Sequence, residues 1–222
     1  TLYQIFSQYG NATLDPEEAH GWEAGIEQHL FGRALTVGAT WFDRTTTNQI
    51  VYTPDATCNA ASTNPLCFEP GSTTVRTAYY LNVARGKAQG IEAAAALTLG
   101  ALTLDGNYSW IVTEDRSPGG ANFDKDLPRR PRHAANASVS YALPFGLDIG
   151  AALRWSDKSF DDAPNSIVLD AYTLVDLRAE LKLSENVRLF ARAENVFDEQ
   201  YMTAYRYGTL GRAIYAGFRG RF

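Results

Sequence analysis

The sequence predicts an all-β fold, namely an antiparallel, up-and-down transmembrane β-barrel wall of about nine strands. Apolar and polar residues alternate along most of the chain, as in strands with one lipid face and one wet face. Short turns and long loops also alternate between these segments. The third observation concerns the tryptophans, which lie on apolar strand faces at the end that leads into a long loop: Trp22, Trp41, Trp110 and Trp155. Aromatic residues gathered at one height of a sheet form the girdle of a water–lipid interface.

The alternation defines each predicted strand. Leu104 and Tyr108 share one face of the fourth strand, for example, and Asp105 lies on the other. Helices are excluded because apolar positions recur every second residue and because glycine and threonine are frequent inside the segments. No apolar run reaches the roughly 18 residues that a transmembrane helix needs. The nine predicted strands are 22–30, 35–41, 79–99, 102–110, 135–143, 147–155, 175–183, 187–194 and 214–222.

The connections predict which end of the sheet faces outside. Consecutive antiparallel strands reverse the chain, so all long loops gather at one end of the sheet and all short turns at the other. Outer-membrane barrels have this asymmetry, with the long loops outside the cell. Short turns are predicted near Gly32, Gly100, Phe145 and Glu185, and long loops after Tyr52, Val112, Trp155 and Asn195.

Charged side chains follow the second face of the later strands. Each of them would cost several kcal/mol in hydrocarbon, so this face is expected to contact water or a polar plug. We expect most of these charges to solvate the lumen and to pair across strands. The charged residues on this face are Asp176, Arg178, Glu180, Lys182, Arg188, Arg192, Glu194, Arg219 and Arg221.

Composition excludes a nucleic-acid partner. The 222 residues carry a net charge of -5, and neither half of the chain forms a basic stripe. The hydrophobic content of 45% and the mean hydropathy of -0.25 are ordinary for a soluble protein. Because only every second residue of a barrel strand touches lipid, these averages do not exclude a barrel. A soluble antiparallel β-sandwich, including a carbohydrate-binding one, remains the alternative.

Two cysteines, Cys58 and Cys67, lie in the longest predicted outer loop. An even count, an oxidising compartment and the short intervening segment predict a disulfide between them. Its predicted role is structural, since it lowers the conformational entropy of the loop.

The titratable side chains do not group as a catalytic site requires. The three histidines lie on different segments with no nucleophile at informative spacing: His20, His29 and His133. Three loop carboxylates offer oxygen ligands to calcium but lack a ligand-spacing motif, which favours a solvated loop: Asp157, Asp161 and Asp162. The sequence therefore predicts no enzyme activity, no cofactor and no metal site.

Several segments carry a family resemblance. Residues 14–18 with 22–25, residues 82–92 and residues 194–201 resemble recurring strand elements of TonB-dependent outer-membrane receptors. The closing segment, 205–212 followed by a strand that ends in Phe222, is similar to the terminal aromatic signature of such barrels. Within the family, the closing segment and residues 127–133 look most like vitamin B12 (cobalamin) receptors, with siderophore receptors next.

The resemblance implies a barrel of about 22 strands with an N-terminal plug in its lumen. Residues 1–222 are then expected to be the C-terminal portion of that barrel, with the plug domain and the N-terminal strands absent. Residues 1–9 are interpreted as the end of a preceding strand. The implied partners are outer-membrane lipid, the remaining strands and plug, and the TonB energy-transducing protein acting through the plug. The implied location is the bacterial outer membrane.

The function implied by the resemblance is energy-coupled uptake of a large, scarce nutrient chelate, with cobalamin favoured over a ferric siderophore. A passive porin or adhesin barrel without energy coupling is the alternative. Aromatic and basic residues at loop bases are candidates to stack on or hydrogen-bond a planar ligand: Tyr79, Tyr205, Arg206 and Tyr207. An interfacial anchor is the competing interpretation for each tyrosine. Phe222 is the candidate C-terminal assembly signal.

Overall fold

Nine strands form one sheet, and a two-stranded hairpin is inserted between two of them. The structure is a computed structural model that describes residues 1–221, apart from the side chain of Val83. The strands are β1 (Glu18–Leu30), β2 (Leu35–Pro54), β3 (Ala78–Leu99), β4 (Leu102–Asp115), β5 (His133–Ala142), β6 (Leu147–Ser156), β7 (Ser159–Phe160), β8 (Val168–Leu169), β9 (Tyr172–Lys182), β10 (Val187–Glu194) and β11 (Ala213–Gly220). The helical elements are α1 (Leu2–Phe6) and two 3-10 turns, Phe31–Arg33 and Pro65–Cys67.

The order of strands in the sheet is β1-β2-β3-β4-β5-β6-β9-β10-β11, and β7 pairs with β8. Each sheet strand therefore neighbours the next one along the chain, and every described register from β4 to β11 is antiparallel. The prediction of nine antiparallel up-and-down strands is confirmed. The long connection predicted between Thr53 and Ala78 is also found, because β2 ends at Pro54 and β3 begins at Ala78.

The register of the strands aligns apolar residues into rows across the sheet. Residues directly opposite one another on antiparallel strands have their side chains on the same face. One row runs from β4 to β11 without a polar residue: Leu104, Val139, Ala151, Leu177, Ala193 and Ile214. Leu104, Leu177 and Ile214 are exposed at the sheet surface. An apolar row that no part of the described chain covers is what a lipid-facing wall requires.

The start of the chain differs from its prediction. Residues 1–9 were expected to end a strand, but Leu2–Phe6 form helix α1. A capping box stabilises this helix, because the Thr1 side chain accepts from the backbone of Gln4 and the Gln4 side chain reaches back to the backbone of Thr1. This local hydrogen bonding outweighs the strand tendency of the apolar residues.

The alternation indicates strand β2 only as far as Trp41, but the strand continues to Pro54, close to the predicted start of the long connection near Thr53. The residues beyond Trp41 include three successive threonines, and β-branched side chains favour a strand. Asn48 has a left-handed backbone with φ 55, which interrupts the alternation of side chains, as a bulge does. The hydrogen-bonded strand therefore extends beyond the part that the alternation identifies.

The hairpin of β7 and β8 lies within the predicted polar loop 156–170. Asp162 closes its turn, because its Oδ1 accepts from the backbone N–H groups of Ser166 and Ile167, both at 2.9 Å. Single Asx-type hydrogen bonds of this kind leave no periodic pattern in the sequence.

The chain divides into two compact units. Unit 1 contains Thr1–Gly21, Arg44–Lys87 and Glu114–Lys125, and unit 2 contains Trp22–Asp43, Ala88–Thr113 and the chain from Asp126 onward. Among residues 1–221, no helix has the length and apolarity needed to cross a membrane. Phe222, the candidate assembly signal, lies outside the described residues.

Candidate ligand-binding surface

The segment Tyr205–Tyr207 lies in the loop between β10 and β11 and consists of an arginine flanked along the chain by two tyrosines. The Arg206 guanidinium lies over the Tyr205 ring, 5.1 Å from its centroid, in a cation–π contact. A turn in which the N–H of Tyr207 donates to the carbonyl of Ala204 (3.1 Å) shapes the segment, and Arg206 has a left-handed φ of 64°. Tyr207 is 72% exposed. The segment can therefore stack on and hydrogen-bond a large planar molecule.

Asp161 holds this segment in place. Its Oδ1 accepts from the backbone N–H of Tyr205 at 3.0 Å and from Nε of Arg129 at 2.7 Å. These two hydrogen bonds, that from Arg129 first, keep the pKa of Asp161 below its ordinary value, so its carboxylate is charged at neutral pH. The same pairing raises the pKa of Arg129. One carboxylate thus contacts two different loops.

A second contact joins the loops on either side of β5 and β6. The Asn165 side-chain amide accepts from the backbone N–H of Asp126 and donates to the backbone carbonyl of Asp126, both at 2.9 Å. This pair of hydrogen bonds has the same pattern as pairing with a neighbouring strand. The N–H of Arg129 also donates to the carbonyl of Phe160 at 2.6 Å. The segment 126–132 is therefore attached to the β7–β8 hairpin at several points.

Asn195 organises the base of the last loop. It is 5% exposed, has a φ of 48°, and its backbone N–H donates to Asp176. Its side chain accepts from the N–H of Glu199 at 2.8 Å and donates to the carbonyl of Glu199 at 3.0 Å. Asp198 completes the base, because its Oδ1 accepts from the N–H of Arg212 at 2.8 Å. The two arms of the loop are joined by these side chains.

Tyr79 has a different environment from the other candidate ligand residues. It belongs to unit 1, whereas Tyr205–Tyr207 belong to unit 2. Only 5% of Tyr79 is exposed, and its hydroxyl donates to Asp55 at 2.7 Å and accepts from Asn64 at 3.3 Å. This burial counts against the predicted ligand contact of Tyr79, because its ring and hydroxyl support the disulfide loop.

The outer loop of unit 1 is built around a disulfide between Cys58 and Cys67. Tyr79 packs against the two cysteines in a small buried cluster. Arg76 is buried and donates to the carbonyls of Leu66, Gln8 and Gly10 at 2.8–2.9 Å. The desolvation of its guanidinium lowers the pKa of Arg76. The loop therefore has a fixed conformation supported by a covalent bond and buried polar contacts.

We expect protein isolated under oxidising conditions to contain no free thiol and to show two after reduction. Reduction should leave the sheet intact and make the loop 55–77 more sensitive to proteolysis, because a cross-link that closes a short loop restrains mainly that loop. Thiol titration with limited proteolysis measures both effects. Two titratable thiols before reduction would contradict the pairing.

The loop carboxylates considered as calcium ligands have other partners. Asp161 is occupied as described above, and Asp162 accepts from Ser166 and Ile167. The hydroxyl of Ser166 is the main cause of the lowered pKa of Asp162. Among residues 1–221, the only group of potential metal ligands consists of Asp55 and the two disulfide cysteines, whose sulfurs cannot act as thiolates.

The charged face of the later strands carries ion pairs across the sheet. Arg188 contacts Glu180 at 2.6 Å, and Arg219 contacts the same carboxylate at 3.6 Å. The Arg192 guanidinium lies 4.4 Å from the centroid of the Tyr215 ring. Glu180, Arg192, Tyr215 and Arg219 line an open concavity of about 900 Å³ within unit 2. Pairing across strands was predicted for this face, and these contacts provide it.

The tryptophans lie on the apolar face. Trp22, Trp41 and Trp110 are exposed, and Trp155 is half-buried. His133 is opposite Trp110 in the register, and its ring centroid lies 6.5 Å from that of Trp155. His133 therefore lies in an aromatic patch with Tyr108 and Trp155. The assignment of the four tryptophans to a water–lipid interface stays a prediction.

Sequence reasoning missed the residues that shape the outer loops. Arg129 and Asp161 are 32 positions apart, and Asp161 and Tyr205 are 44 apart. No local pattern relates such positions. The one available signal is the presence of three arginines within residues 127–133, which marked the segment but not its partner.

A sheet with one apolar face, one charged face and elaborate loops at one set of strand ends defines the wall of a transmembrane β-barrel. The family described as "TonB dependent receptor-like, beta-barrel" matches residues 1–196, and the chain belongs to this family. Its members are outer-membrane receptors and transporters rather than enzymes, and the chain is accordingly part of an outer-membrane protein.

Individual relatives agree with this assignment. The chain is 30% identical over 211 residues to the vitamin B12 transporter BtuB of Photobacterium profundum, covering 93% of this chain and 30% of the relative. The siderophore receptor PiuA of Acinetobacter baumannii is 24% identical with a TM-score of 0.73, covering 94% of this chain and 29% of that one. The ferripyoverdine receptor of Pseudomonas aeruginosa is 22% identical with a TM-score of 0.71, covering 97% and 28%. The chain thus spans about 30% of the length of these relatives, and the two structures show the fold alone.

Proposed function

We propose that the chain is the C-terminal part of an outer-membrane receptor that takes up cobalamin by energy-coupled transport. The similarity to a vitamin B12 transporter at 30% identity over 93% of the chain is the observation that carries this proposal. The ligand is a large, scarce chelate, which such a receptor captures at its outer loops. The ligand passes inward when an energy source at the inner membrane remodels the plug.

The ligand contacts on this chain come from Tyr205, Arg206 and Tyr207. Their segment is exposed, carries a cation and two aromatic rings, and is supported from behind by Asp161. Aromatic faces suit the planar part of a corrin, and the Arg206 guanidinium suits its amide oxygens. Tyr79 supports the disulfide loop and belongs to the scaffold.

The remainder of the receptor consists of further barrel strands and a plug domain. Residues 1–222 form its C-terminal portion, and the charged face with Arg178 and Glu180 is directed toward the plug. Open sheet edges and an uncovered apolar face are aggregation hazards in water, so neighbouring strands and lipid must cover them. The TonB energy-transducing protein acts on this chain only through the plug.

A binding panel on the intact receptor in detergent tests the ligand. Cyanocobalamin and several ferric siderophores are titrated against the receptor, with the same receptor lacking residues 203–208 as the comparison. We expect saturable binding of cyanocobalamin and none of the siderophores, and a weaker affinity after the deletion. Binding of a ferric siderophore in preference to cyanocobalamin would overturn the choice of ligand.

Phe222 acts as a C-terminal signal for barrel assembly. Deleting Phe222 is expected to reduce the amount of receptor inserted in the outer membrane by about tenfold, while the stability of the inserted receptor stays within about 0.5 kcal/mol of wild type. Membrane fractionation measures insertion, and denaturant unfolding measures stability. Normal insertion of the truncated receptor would remove this role, and Phe222→Tyr, which retains an aromatic ring, is the matched control.

A further inference from the structure

Asp161 lies where three outer loops meet. These are the loop between β4 and β5 (116–132), the segment between β6 and β9 (157–171) and the loop between β10 and β11 (195–212). Asp161 belongs to the second and accepts hydrogen bonds from the first and the third. Both bonds reach the same oxygen, Oδ1, and only 14% of the Asp161 side chain is exposed.

The backbone of Asp161 is itself fixed. Its N–H donates to the carbonyl of Ile167 at 2.9 Å, next to the pairing of β7 with β8. The adjacent Asp162 closes the turn of the same hairpin. The carboxylate is thus held on a small rigid element rather than on a free loop. Side chains held on rigid elements can impose a position on the groups that they bind.

The segment that Asp161 contacts needs such support. Arg206 has a φ of 64° and Arg129 a φ of 57°. Both residues have a left-handed backbone, although glycine and asparagine are the residues that suit that conformation. Residues in these conformations persist only where their surroundings hold them. The Arg206 guanidinium reaches the Tyr205 ring in this conformation, so the geometry of the candidate contacts depends on it.

We propose that Asp161 is a positioning residue, which fixes the backbone of Tyr205 so that Tyr205, Arg206 and Tyr207 meet the ligand in one conformation. Asp161 does not contact the ligand. Arg129 contributes by neutralising the carboxylate and by joining residues 126–132 to the same point. The importance of this residue for affinity rests on the proposed function, whereas its effect on the segment does not.

Hydrogen exchange on the intact receptor without ligand tests the positioning. Asp161→Ala removes the acceptor, and we expect the backbone amides of residues 203–207 to exchange about tenfold faster or more, as for the loss of a hydrogen bond to a charged group. Asp161→Asn retains an oxygen acceptor without the charge and should have a smaller effect. Asp170→Asn is the matched control, because the Asp170 carboxylate is exposed and has no hydrogen bond or ion pair within residues 1–221. Exchange at the wild-type rate in both Asp161 variants would overturn the proposal.

A double-mutant cycle with cyanocobalamin as the probe tests the effect on binding. Asp161→Ala is expected to raise the Kd about tenfold, and the Arg206→Ala and Tyr207→Ala pair to raise it by more. If Asp161 acts through the segment, adding Asp161→Ala to that pair should change the Kd by less than about twofold. An equal tenfold loss in both backgrounds would show a general structural effect and contradict positioning.

The two measurements distinguish a failure of the proposed ligand from a failure of the positioning by Asp161. A wild-type receptor that binds no cyanocobalamin refutes the proposed ligand, while the exchange measurement still decides the positioning. Faster exchange with unchanged affinity means that the segment is positioned but does not serve this ligand, which overturns the inference as stated. Should Asp161→Ala fail to assemble, Asp161→Asn still tests the positioning, because the loss of the charge should speed exchange at residues 203–207, although by less than the loss of the acceptor.

Discussion

Replacing Leu104 by arginine is expected to destabilise the receptor by about 2–4 kcal/mol, the cost of placing a guanidinium at the lipid face near the bilayer midplane. Leu104 lies in β4 and begins the apolar row that continues through Val139 to Ile214. It is exposed at the sheet surface, so the described chain offers no polar partner to a cation there. Denaturant unfolding of the receptor in lipid vesicles measures the difference in free energy of unfolding.

Two adjacent alanines of β6 provide the control for this substitution. Ala151 lies in the same apolar row as Leu104, and Ala152 lies on the opposite face beside Asp176. The same change to arginine should be costly at Ala151 and tolerated at Ala152, where water or a neighbouring carboxylate stabilises the charge. Nearly neutral effects of Leu104→Arg and Ala151→Arg would contradict lipid exposure and favour a soluble sandwich.

Replacing Asn195 by alanine is expected to destabilise the receptor by about 2–3 kcal/mol. The substitution leaves the N–H and the carbonyl of Glu199 without their partner, and such buried unsatisfied groups cost about 1–3 kcal/mol. Alanine also tolerates the left-handed backbone of Asn195 poorly. Equilibrium unfolding with tryptophan fluorescence as the signal measures the loss.

A glycine variant separates the two contributions of Asn195 to stability, namely its side-chain hydrogen bonds and its left-handed backbone. Glycine accepts a positive φ without strain, so Asn195→Gly should be less destabilised than Asn195→Ala by about 1 kcal/mol, and only the hydrogen-bond loss remains. Asn186→Ala is the control, since the Asn186 side chain is exposed in a turn with no described hydrogen bond. A change under 0.5 kcal/mol in Asn195→Ala would show that the loop base is held by other contacts.

The sheet could be predicted from the sequence because lipid imposes a strict rule on every second residue. All nine strands were found in this way, and the register of Val139 opposite Ala151 follows from equal counts on the two sides of the short turn near Phe145. The part of β2 beyond Trp41 is a strand in which the alternation is interrupted at Asn48, so periodicity did not identify it.

The site could be predicted only in part. The Tyr205–Tyr207 segment was singled out as a candidate because aromatic and basic residues stand out in a loop, and its role in binding a ligand stays a prediction. Its support by Asp161 was not found, since a contact across 44 residues depends on the fold of two loops. The burial of Tyr79 could not be predicted for the same reason, because it depends on how the disulfide loop folds over this residue.

Energy-coupled uptake tests the central claim most directly. Labelled cyanocobalamin is supplied to cells that express the intact receptor as their only outer-membrane route for it, with and without a functional TonB protein. The account predicts accumulation inside the cells that requires both the receptor and TonB. Accumulation at the same rate without TonB would contradict it and indicate a passive pore, and no receptor-dependent accumulation of cyanocobalamin would contradict the proposed ligand.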